Sequence, residues 1–201
     1  MEDTYRTIVA PAEGLYKEKG SKFIAKAYPV RTEEEIKEIL QGLRKEYFDA
    51  RHHCYAYLLG ASRAVFRAND DGEPNHSAGD PILGQIKSAG LSNVLVVVIR
   101  YFGGIKLGVS GLIHAYKTAT AEALAQAEVI ERHETALLEV QFGYELMNDV
   151  MKLVKDQNLP VRHQDFQLDC RLTLEVRTSQ VEQLTAQLEK LGTSVSILNE
   201  E

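Results

Sequence analysis

The sequence predicts an α+β protein of two domains, on three observations. Strand and helix patterns alternate along the chain, and the last stretch of about 70 residues carries them in the order β-α-β-β-α-β. The charge also changes near residue 130. Residues 1–130 hold 16 basic and 16 acidic side chains, whereas residues 131–201 hold 7 and 13, so the net charge of −6 arises entirely in the second part. We therefore place the two domains at residues 1–130 and 131–201.

The composition is that of an ordinary globular protein. Of the 201 residues, 44% are hydrophobic and 26% are charged, which excludes a disordered chain. No apolar run approaches the roughly 20 residues that cross a bilayer, and the start of the chain lacks the pattern of a signal peptide. Cys54 and Cys170 form no C-x-x-C pair, which is typical of reduced thiols in a cytosolic protein. We expect a cytoplasmic location without membrane contact.

A strand and a helix follow each other early in the chain. Ser21–Val30 predicts a strand that stops near Pro29, because proline cannot donate a hydrogen bond to a sheet. Thr32 and Glu35 form a capping box, in which Thr32 caps the helix and Glu35 reaches back to the backbone. The helix then carries apolar residues at helical spacing, namely Ile36, Ile39, Leu40 and Leu43.

A hairpin and a second helix are predicted next. His53–Leu59 and Ala64–Ala68 have the composition of two paired strands around a short turn. Residues 69–79 consist of turn-forming types throughout. Asp80 and Pro81 predict the start of a helix, with Asp80 as its N-cap and Pro81 in the first helical position.

The most hydrophobic stretch, Val94–Ile99, predicts a strand that is buried on both faces. Four glycines within the nine residues of Gly103–Gly111 then lead into a helix that Ser110 would cap. The predicted apolar face of this helix consists of Leu112, Ile113, Tyr116, Ala119, Ala123 and Leu124.

The last third of the chain predicts a different domain. Its strands are expected at Glu134–Phe142, Val161–Leu168, Leu172–Val176 and Ser194–Leu198. Between them, apolar residues at helical spacing predict helices around residues 146–154 and 181–191, the second one preceded by a capping box at Ser179–Glu182. The order β-α-β-β-α-β is that of a ferredoxin-like split βαβ domain.

The glycine-rich stretch is a candidate anion site. It follows a strand and opens a helix, a position at which bare backbone N–H groups bind anions. Arg100, Lys106 and the hydroxyl of Ser110 would reinforce such a site. The stretch matches neither the P-loop nor the G-x-G-x-x-G pattern. The alternative is that its glycines only allow close packing of the strand and the helix.

Three carboxylates, those of Asp70, Asp71 and Glu73, lie within four residues. One interpretation is a divalent-cation site, because hard cations prefer such oxygens, although the spacing of an EF-hand is absent. A second is a turn with solvated carboxylates. A third is an ion pair with Arg100 or Lys106, which would order both loops together.

The histidines offer weaker signals. His52 and His53 are neighbours on a predicted strand, so their imidazoles point to opposite faces and do not easily share one metal ion. Either could lie near the acidic residues together with His76, but no Ser-His-Asp arrangement follows from the spacing. Tyr101 belongs to a group of tyrosines in the first domain, of which one or two could stack on nucleic-acid bases.

Four motifs resemble, in their order along the chain, those of the IMPACT/YigZ family. They are Ser21–Ala25, His52–Tyr57, Asp70–Pro74 and Arg100–Gly108. The resemblance implies a first domain like the second domain of ribosomal protein S-five and a ferredoxin-like second domain, the order found at the end of elongation factor G. It also implies a role in translation, since the eukaryotic members restrain a translation-control kinase. Asn75–Asp80 departs from the family pattern and adds a negative charge.

The resemblance and the residues together favour a non-catalytic protein that contacts RNA or the ribosome through the first domain. The expected contact residues are Lys22, His53, Arg100, Tyr101, Gly103, Gly104, Lys106 and Ser110. One alternative is an enzyme on a phosphorylated or nucleotide substrate with a metal at the acidic residues, and another is a protein-interaction adaptor. No specific cofactor and no sequence-specific DNA binding are expected.

Overall fold

The chain divides into two units, which the computed structural model describes over residues 3–167 and 169–198. The larger unit runs from Thr4 to Arg132, and the smaller one comprises Asp3 and the chain from His133 onwards. Up to the junction, the elements in chain order are β1 (Thr4–Ile8), β2 (Ala12–Glu18), β3 (Ser21–Pro29), α1 (Glu33–Glu46), β4 (His52–Leu59), β5 (Val65–Asn69), α2 (Gly79–Ser88), β6 (Val94–Tyr101), α3 (Gly108–Gln126) and β7 (Val129–His133).

The predicted buried strand, β6, is the centre of a five-stranded sheet with the order β2-β3-β6-β4-β5. Every neighbouring pair in this sheet is antiparallel. Alternate residues of β6 enter two different cores. Val94, Val96 and Val98 pack towards α2 and α3, whereas Leu95, Val97 and Ile99 pack towards α1. A strand covered on both faces requires a continuous apolar run, which is the pattern in the sequence.

The first predicted helix boundary is confirmed. Thr32 is the N-cap of α1, and its hydroxyl accepts a hydrogen bond from the Glu35 amide at 3.2 Å. The Glu35 carboxylate reaches back, as a capping box requires, but to the amide of Arg31 at 2.7 Å. The apolar stripe of the helix is buried through Ile36, Leu40 and Leu43.

The smaller unit has the predicted order of elements. These are β8 (Thr135–Gly143), α4 (Met147–Asp156), β9 (Val161–Phe166), β10 (Asp169–Arg177), α5 (Val181–Lys190) and β11 (Ser194–Leu198). The strands form an antiparallel sheet with the order β11-β8-β10-β9, as expected of a split βαβ domain. Helices α4 and α5 pack on one core with the sheet. The predicted α+β fold class is confirmed.

Three predicted helix caps are wrong. Helix α2 begins at Gly79, and Asp80 makes no capping bond. Helix α3 begins at Gly108, two residues before Ser110, and has no side-chain cap. Ser179 lies in a short 3₁₀ turn, where its amide donates to a carboxylate oxygen of Asp3 at 3.2 Å. At each of these helix starts, the backbone conformation or a residue distant in sequence takes the place of the predicted capping bond.

Other differences concern edges and surfaces. Strands β1, β2 and β7 were not predicted, and β1 pairs with β7 in a separate two-stranded sheet. The predicted apolar face of α3 is wrong at Ile113, which is 38% exposed, while Thr120 is buried in its place. Leu168, the predicted end of β9, lies outside the described residues. Among those residues, no helix is both long and apolar enough to cross a membrane.

Candidate functional site

The acidic loop, residues 70–74, connects β5 to the turn before α2. Its backbone is tightly wound, with left-handed φ values of 39° at Asp71 and 87° at Gly72. The Glu73 amide donates to the Asp70 carbonyl at 2.9 Å, and the Asp71 amide donates to the Asn69 side chain at 2.8 Å. Because of this turn, the carboxylates of Asp70, Asp71 and Glu73 each contact a different set of partners.

Asp70 is the actual cap of α2. One carboxylate oxygen accepts from the amides of Ala78 and Gly79, at 3.1 and 2.8 Å, and the other accepts from the His76 amide at 2.9 Å. Asp80, the predicted cap, instead lies 2.6 Å from the His76 imidazole on the surface. A side chain nine residues before the first residue of the helix therefore satisfies the amides that local capping would otherwise serve.

Asp71 fastens the acidic loop to the start of β4. Its carboxylate accepts from the His53 amide at 2.7 Å and lies 3.6 Å from the Arg44 guanidinium. The Asp71 carbonyl is 2.9 Å from Nδ1 of His52, so this nitrogen carries a proton. The two imidazoles thus have separate environments, as predicted from their positions on one strand. Burial lowers the pKa of His53, whose Nε2 lies 3.1 Å from the Tyr47 carbonyl.

Glu73 turns inward and forms a buried ion pair. One of its oxygens accepts from Nη1 of Arg100 at 2.6 Å and from the Tyr116 hydroxyl at 2.8 Å. Cys54 completes the cluster, with its sulfur 3.3 Å from that hydroxyl. Burial raises the pKa of Tyr116 and of the Cys54 thiol, so both stay protonated. The ion-pair interpretation of the acidic residues therefore describes Glu73, which joins β6 and α3.

Arg100 is held by several groups besides Glu73. Its Nη2 lies 3.5 Å from the Ser21 hydroxyl, and its guanidinium lies over the rings of Phe23 and Phe102, at 5.4 and 5.6 Å from their centroids. The Arg100 side chain is 7% exposed. Its Nε has no hydrogen-bond partner within the described part of the chain. One N–H of a buried guanidinium is thus left unsatisfied.

The glycine-rich loop, Phe102–Leu107, contains one closed glycine and one open glycine. A Cβ on Gly103 would lie 1.9 Å from the carbonyl carbon of Gly20, and the Gly103 amide donates to the Ser21 hydroxyl. Gly103 is therefore required for close packing, although against the β2–β3 hairpin and not between the strand and the helix as the alternative interpretation had it. Gly104 has φ +90°, and a Cβ there would meet nothing.

Helix α3 starts directly after this loop with open backbone amides. Leu107 is its N-cap and makes no side-chain capping bond, and the first turn has no acidic residue. Ser110 is exposed on that turn. Such a helix start carries a partial positive charge. It borders a cavity of about 370 Å³, lined mainly by Glu73, Pro74, Arg100, Phe102, Lys106, Leu107, Gly108, Val109 and Leu112. The acidic and glycine-rich loops therefore share one cleft.

Four lysines are exposed around the end of the sheet where these loops lie. Lys17, Lys19 and Lys22 belong to the β2–β3 hairpin, whose turn touches Gly103, and Lys106 belongs to the glycine-rich loop. Within residues 3–167 and 169–198, none of the four has an ion-pair partner. We call them the lysine cluster.

Besides Arg100 and Gly103, two more of the expected contact residues are engaged within the protein. Tyr101 donates its hydroxyl to Asp49 at 2.8 Å, and the Asp49 carboxylate raises the pKa of this tyrosine to about 12. The His53 side chain is buried. Phe102 and Tyr116 also lie in this region, although neither was among the expected contact residues. Tyr116 was predicted only as part of an apolar helix face, because helical spacing does not show which polar group lies opposite.

The donor groups in this region do not form a metal centre. In the described ranges, no group of three or more His, Cys, Asp and Glu side chains is arranged to hold an ion. The Asp70 and Glu73 carboxylates are also engaged, by backbone amides and by Arg100 with Tyr116 respectively. The charged residues of the cleft therefore divide into internally paired carboxylates and exposed lysines.

The fold and the site together define a class of α+β proteins in which a buried Glu-Arg pair lies beneath a glycine-rich loop. The model of the Impact N-terminal domain matches residues 19–124, which include both loops. The chain belongs to the IMPACT family.

The relatives extend this likeness to both units. IMPACT family member YvyE of Bacillus subtilis is 38% identical over 144 residues, which span 72% of this chain and 66% of that protein. IMPACT family member YigZ of Escherichia coli is 30% identical over 89% of each chain. A crystal structure described as a hypothetical protein is similar over the full length of both chains, with a TM-score of 0.75 and 28% identity.

Proposed function

We propose that this protein is a non-catalytic binding protein of the cytoplasm that acts in translation or its regulation and contacts RNA through the larger unit. The observation that carries the proposal is the lysine cluster around the glycine-rich loop. RNA binding is driven largely by neutralisation of phosphates. Lysines without acidic partners are available for this, whereas paired ones are not.

The local charge supports the proposal although the total charge does not. Residues 1–130 have equal numbers of basic and acidic side chains. Several acidic groups nearest the cleft are neutralised, since Glu73 is paired with Arg100 and Asp71 lies near Arg44. The four lysines of the cluster have no ion pair among the described residues, and Glu18 is the one acidic side chain between the hairpin lysines. A local positive surface on a neutral domain is sufficient to attract a polyanion.

Exposed apolar side chains beside the lysines also suit RNA. Phe102 is 51% exposed and Ile105 is 56% exposed, both on the glycine-rich loop. Bases of single-stranded RNA stack on such aromatic rings in a sequence-tolerant way. Phosphate contacts from the lysines and stacking on Phe102 would be made by the same loop.

The paired groups of the cleft support a non-catalytic role. A general base must lie within reach of a substrate proton, whereas the Glu73 side chain is only 4% exposed and is paired with Arg100. A nucleophilic cysteine needs a low pKa, whereas burial raises that of Cys54. These residues stabilise the cleft instead of supplying a reactive group.

The test is binding of a fluorescent single-stranded RNA at several salt concentrations, followed by co-sedimentation with ribosomes. We compare the native protein with the double variant Lys22→Glu, Lys106→Glu. Loss of two phosphate contacts on a single strand should lower the slope of log K against log salt by about 1.4. The Lys37→Glu, Lys152→Glu variant, with the same change of charge at exposed positions on α1 and α4, is the control.

Equal RNA affinity of both variants would remove the lysine cluster from the interface. Two further measurements address the alternatives. A thermal shift with a nucleotide that requires magnesium would favour the enzyme, and a partner protein retained after nuclease treatment of a lysate would favour the adaptor.

A further inference from the structure

The cavity between the acidic loop and α3 has the character of a small-ligand site. Its volume of about 370 Å³ lies within the range of natural ligand pockets, roughly 300–1,000 Å³. Leu107, Val109 and Leu112 provide apolar walls, and Lys106 provides a positive group, while the charge of Arg100 is balanced by Glu73, which also lines the cavity. Such pockets combine an apolar lining with a few placed polar groups.

The start of α3 supplies one half of an anion site in this cavity. The helix has 19 residues, and no side chain caps its first amides. Gly108, its first residue, and Val109 line the cavity. Unsatisfied amides at the positive end of a helix bind phosphate or carboxylate groups. Lys106, which has no ion-pair partner within the described ranges, lies on the same wall.

Arg100 supplies an independent sign of a missing ligand. Its side chain lines the cavity and is 93% buried, since only 7% is exposed. Nη1 and Nη2 have Glu73 and Ser21 as neighbours, but Nε has no partner among the described residues. Unpaired buried donors are uncommon in native proteins. Nε itself is buried, with the Phe102 ring over the guanidinium, so an acceptor in the cavity reaches this N–H only when that ring moves aside.

Phe102 gives the cavity a flat aromatic wall. One face of its ring lies over the Arg100 guanidinium, with 5.6 Å to the centroid, yet the side chain is half exposed. A planar ligand ring can stack on an aromatic face that remains accessible. The cavity thus presents an anion site and a stacking surface together.

From this combination we infer that the cavity binds one nucleoside monophosphate unit. Its phosphate lies at the start of α3 beside Lys106, and its base stacks on the accessible face of Phe102. The unit is either a free nucleotide or an unstacked nucleotide of a single-stranded RNA. In the second case the inference deepens the proposed function and rests on it.

The experiment is isothermal titration calorimetry with UMP and AMP, and with uridine, ribose 5-phosphate and inorganic phosphate as partial ligands. We expect saturable binding of at least one nucleotide at millimolar concentration or below. Each partial ligand should bind about tenfold more weakly or worse, because it lacks either the phosphate or the base; about 1.4 kcal/mol of lost contact corresponds to tenfold. A short single-stranded RNA in competition with UMP distinguishes the two sources.

Variants of exposed residues locate the ligand. Lys106→Gln should weaken UMP about tenfold without changing the affinity for uridine, and Phe102→Ala should weaken both. Val109→Phe narrows the cavity and should abolish binding. Ile113→Ala, at an exposed position of α3 outside the cavity lining, is the matched control. Melting curves by circular dichroism show whether each variant remains folded.

Two results would overturn the inference. One is the absence of saturable binding for every nucleotide, and the other is equal affinity of the native protein and a folded Val109→Phe variant. Neither result alters the charge-reversal test on the lysine cluster. If RNA binding no longer depended on Lys22 and Lys106 while UMP still bound, the proposed function alone would fail.

Discussion

The acidic loop and the glycine-rich loop both contact Arg100, through Glu73 and Phe102, but use their polar groups in opposite ways. In the acidic loop, carboxylate oxygens accept from backbone amides, an arginine and a tyrosine. In the glycine-rich loop, Lys106 has no ion pair and α3 has no side-chain cap within the described part of the chain. Two stretches that both look like binding motifs therefore differ in which of their groups a ligand can reach.

The comparison predicts that the largest loss of stability comes from breaking the pair itself. Glu73→Ala leaves the buried Arg100 charge unpaired and should cost about 3–5 kcal/mol of unfolding free energy. Asp80→Ala is the control, because its partner His76 is exposed, and such pairs contribute at most about 1 kcal/mol. The chain has no tryptophan, so urea unfolding is followed by circular dichroism. Similar losses for the two variants would remove the distinction between a buried and an exposed carboxylate.

Within the glycine-rich loop, an added methyl group should cost more stability at Gly103, which is closely packed, than at Gly104, which faces open space. Gly103→Ala forces a methyl group into the Gly20 backbone and should cost about 3 kcal/mol. Gly104→Ala meets open space and should cost only about 1–2 kcal/mol, the strain of a positive φ in a residue with a Cβ. Thermal and urea unfolding of the pair measures this difference. A larger loss at Gly104 would contradict it.

Asp70 should behave as a distant helix cap. Asp70→Ala removes the acceptor of three amides, and we expect a loss of about 2 kcal/mol, at the upper end for N-caps. Asp70→Asn keeps one acceptor oxygen and should lose less. Hydrogen exchange at the amides of Ala78 and Gly79 reports the change locally. Unchanged protection of these amides in Asp70→Ala would show that another group caps α2.

The smallest expected effect is a pH dependence from His53. Burial lowers its pKa in the folded state below the ordinary value of 6.5, and the hydrogen bond to Tyr47 opposes this shift in part. The unfolded chain then binds the proton more readily, so stability is full above about pH 6.5 and falls as the pH drops through the folded pKa. Denaturation curves between pH 7.5 and about 5 should have a shallower pH slope in His53→Gln. An equal slope would assign the dependence to other groups.

Much of the fold could be predicted because periodicity and composition act locally. The apolar run Val94–Ile99 required burial on both faces, and it is the centre of the sheet. The Thr32–Glu35 box fixed the start of α1 because a cap and its amides are close in sequence. The β-α-β-β-α-β order of the smaller unit followed from the change in spacing of apolar residues between strand and helix segments.

The errors arise where a distant residue outcompetes a local one. Asp80 was the expected cap of α2, but Asp70 reaches the same amides from the preceding loop. Strand β2 lies at the edge of the sheet and has a mixed composition. Its sequence therefore lacks the clear separation of apolar and polar residues by which a strand is predicted. The pairing of Glu73 with Arg100 rather than Lys106 depends on strand register, which the separation of 27 residues does not reveal.

The contact between Gly20 and Gly103 has a consequence for molecular recognition. Because backbone lies directly against backbone there, the tip of the β2–β3 hairpin and the glycine-rich loop cannot shift independently. The backbone positions of Lys19, Lys22 and Lys106 are therefore held together before any partner arrives, while their exposed side chains remain flexible. The conformational entropy lost on association is then mainly that of the side chains and not of the loops, so selectivity would come from the distances between phosphates instead of from adaptation of the loops.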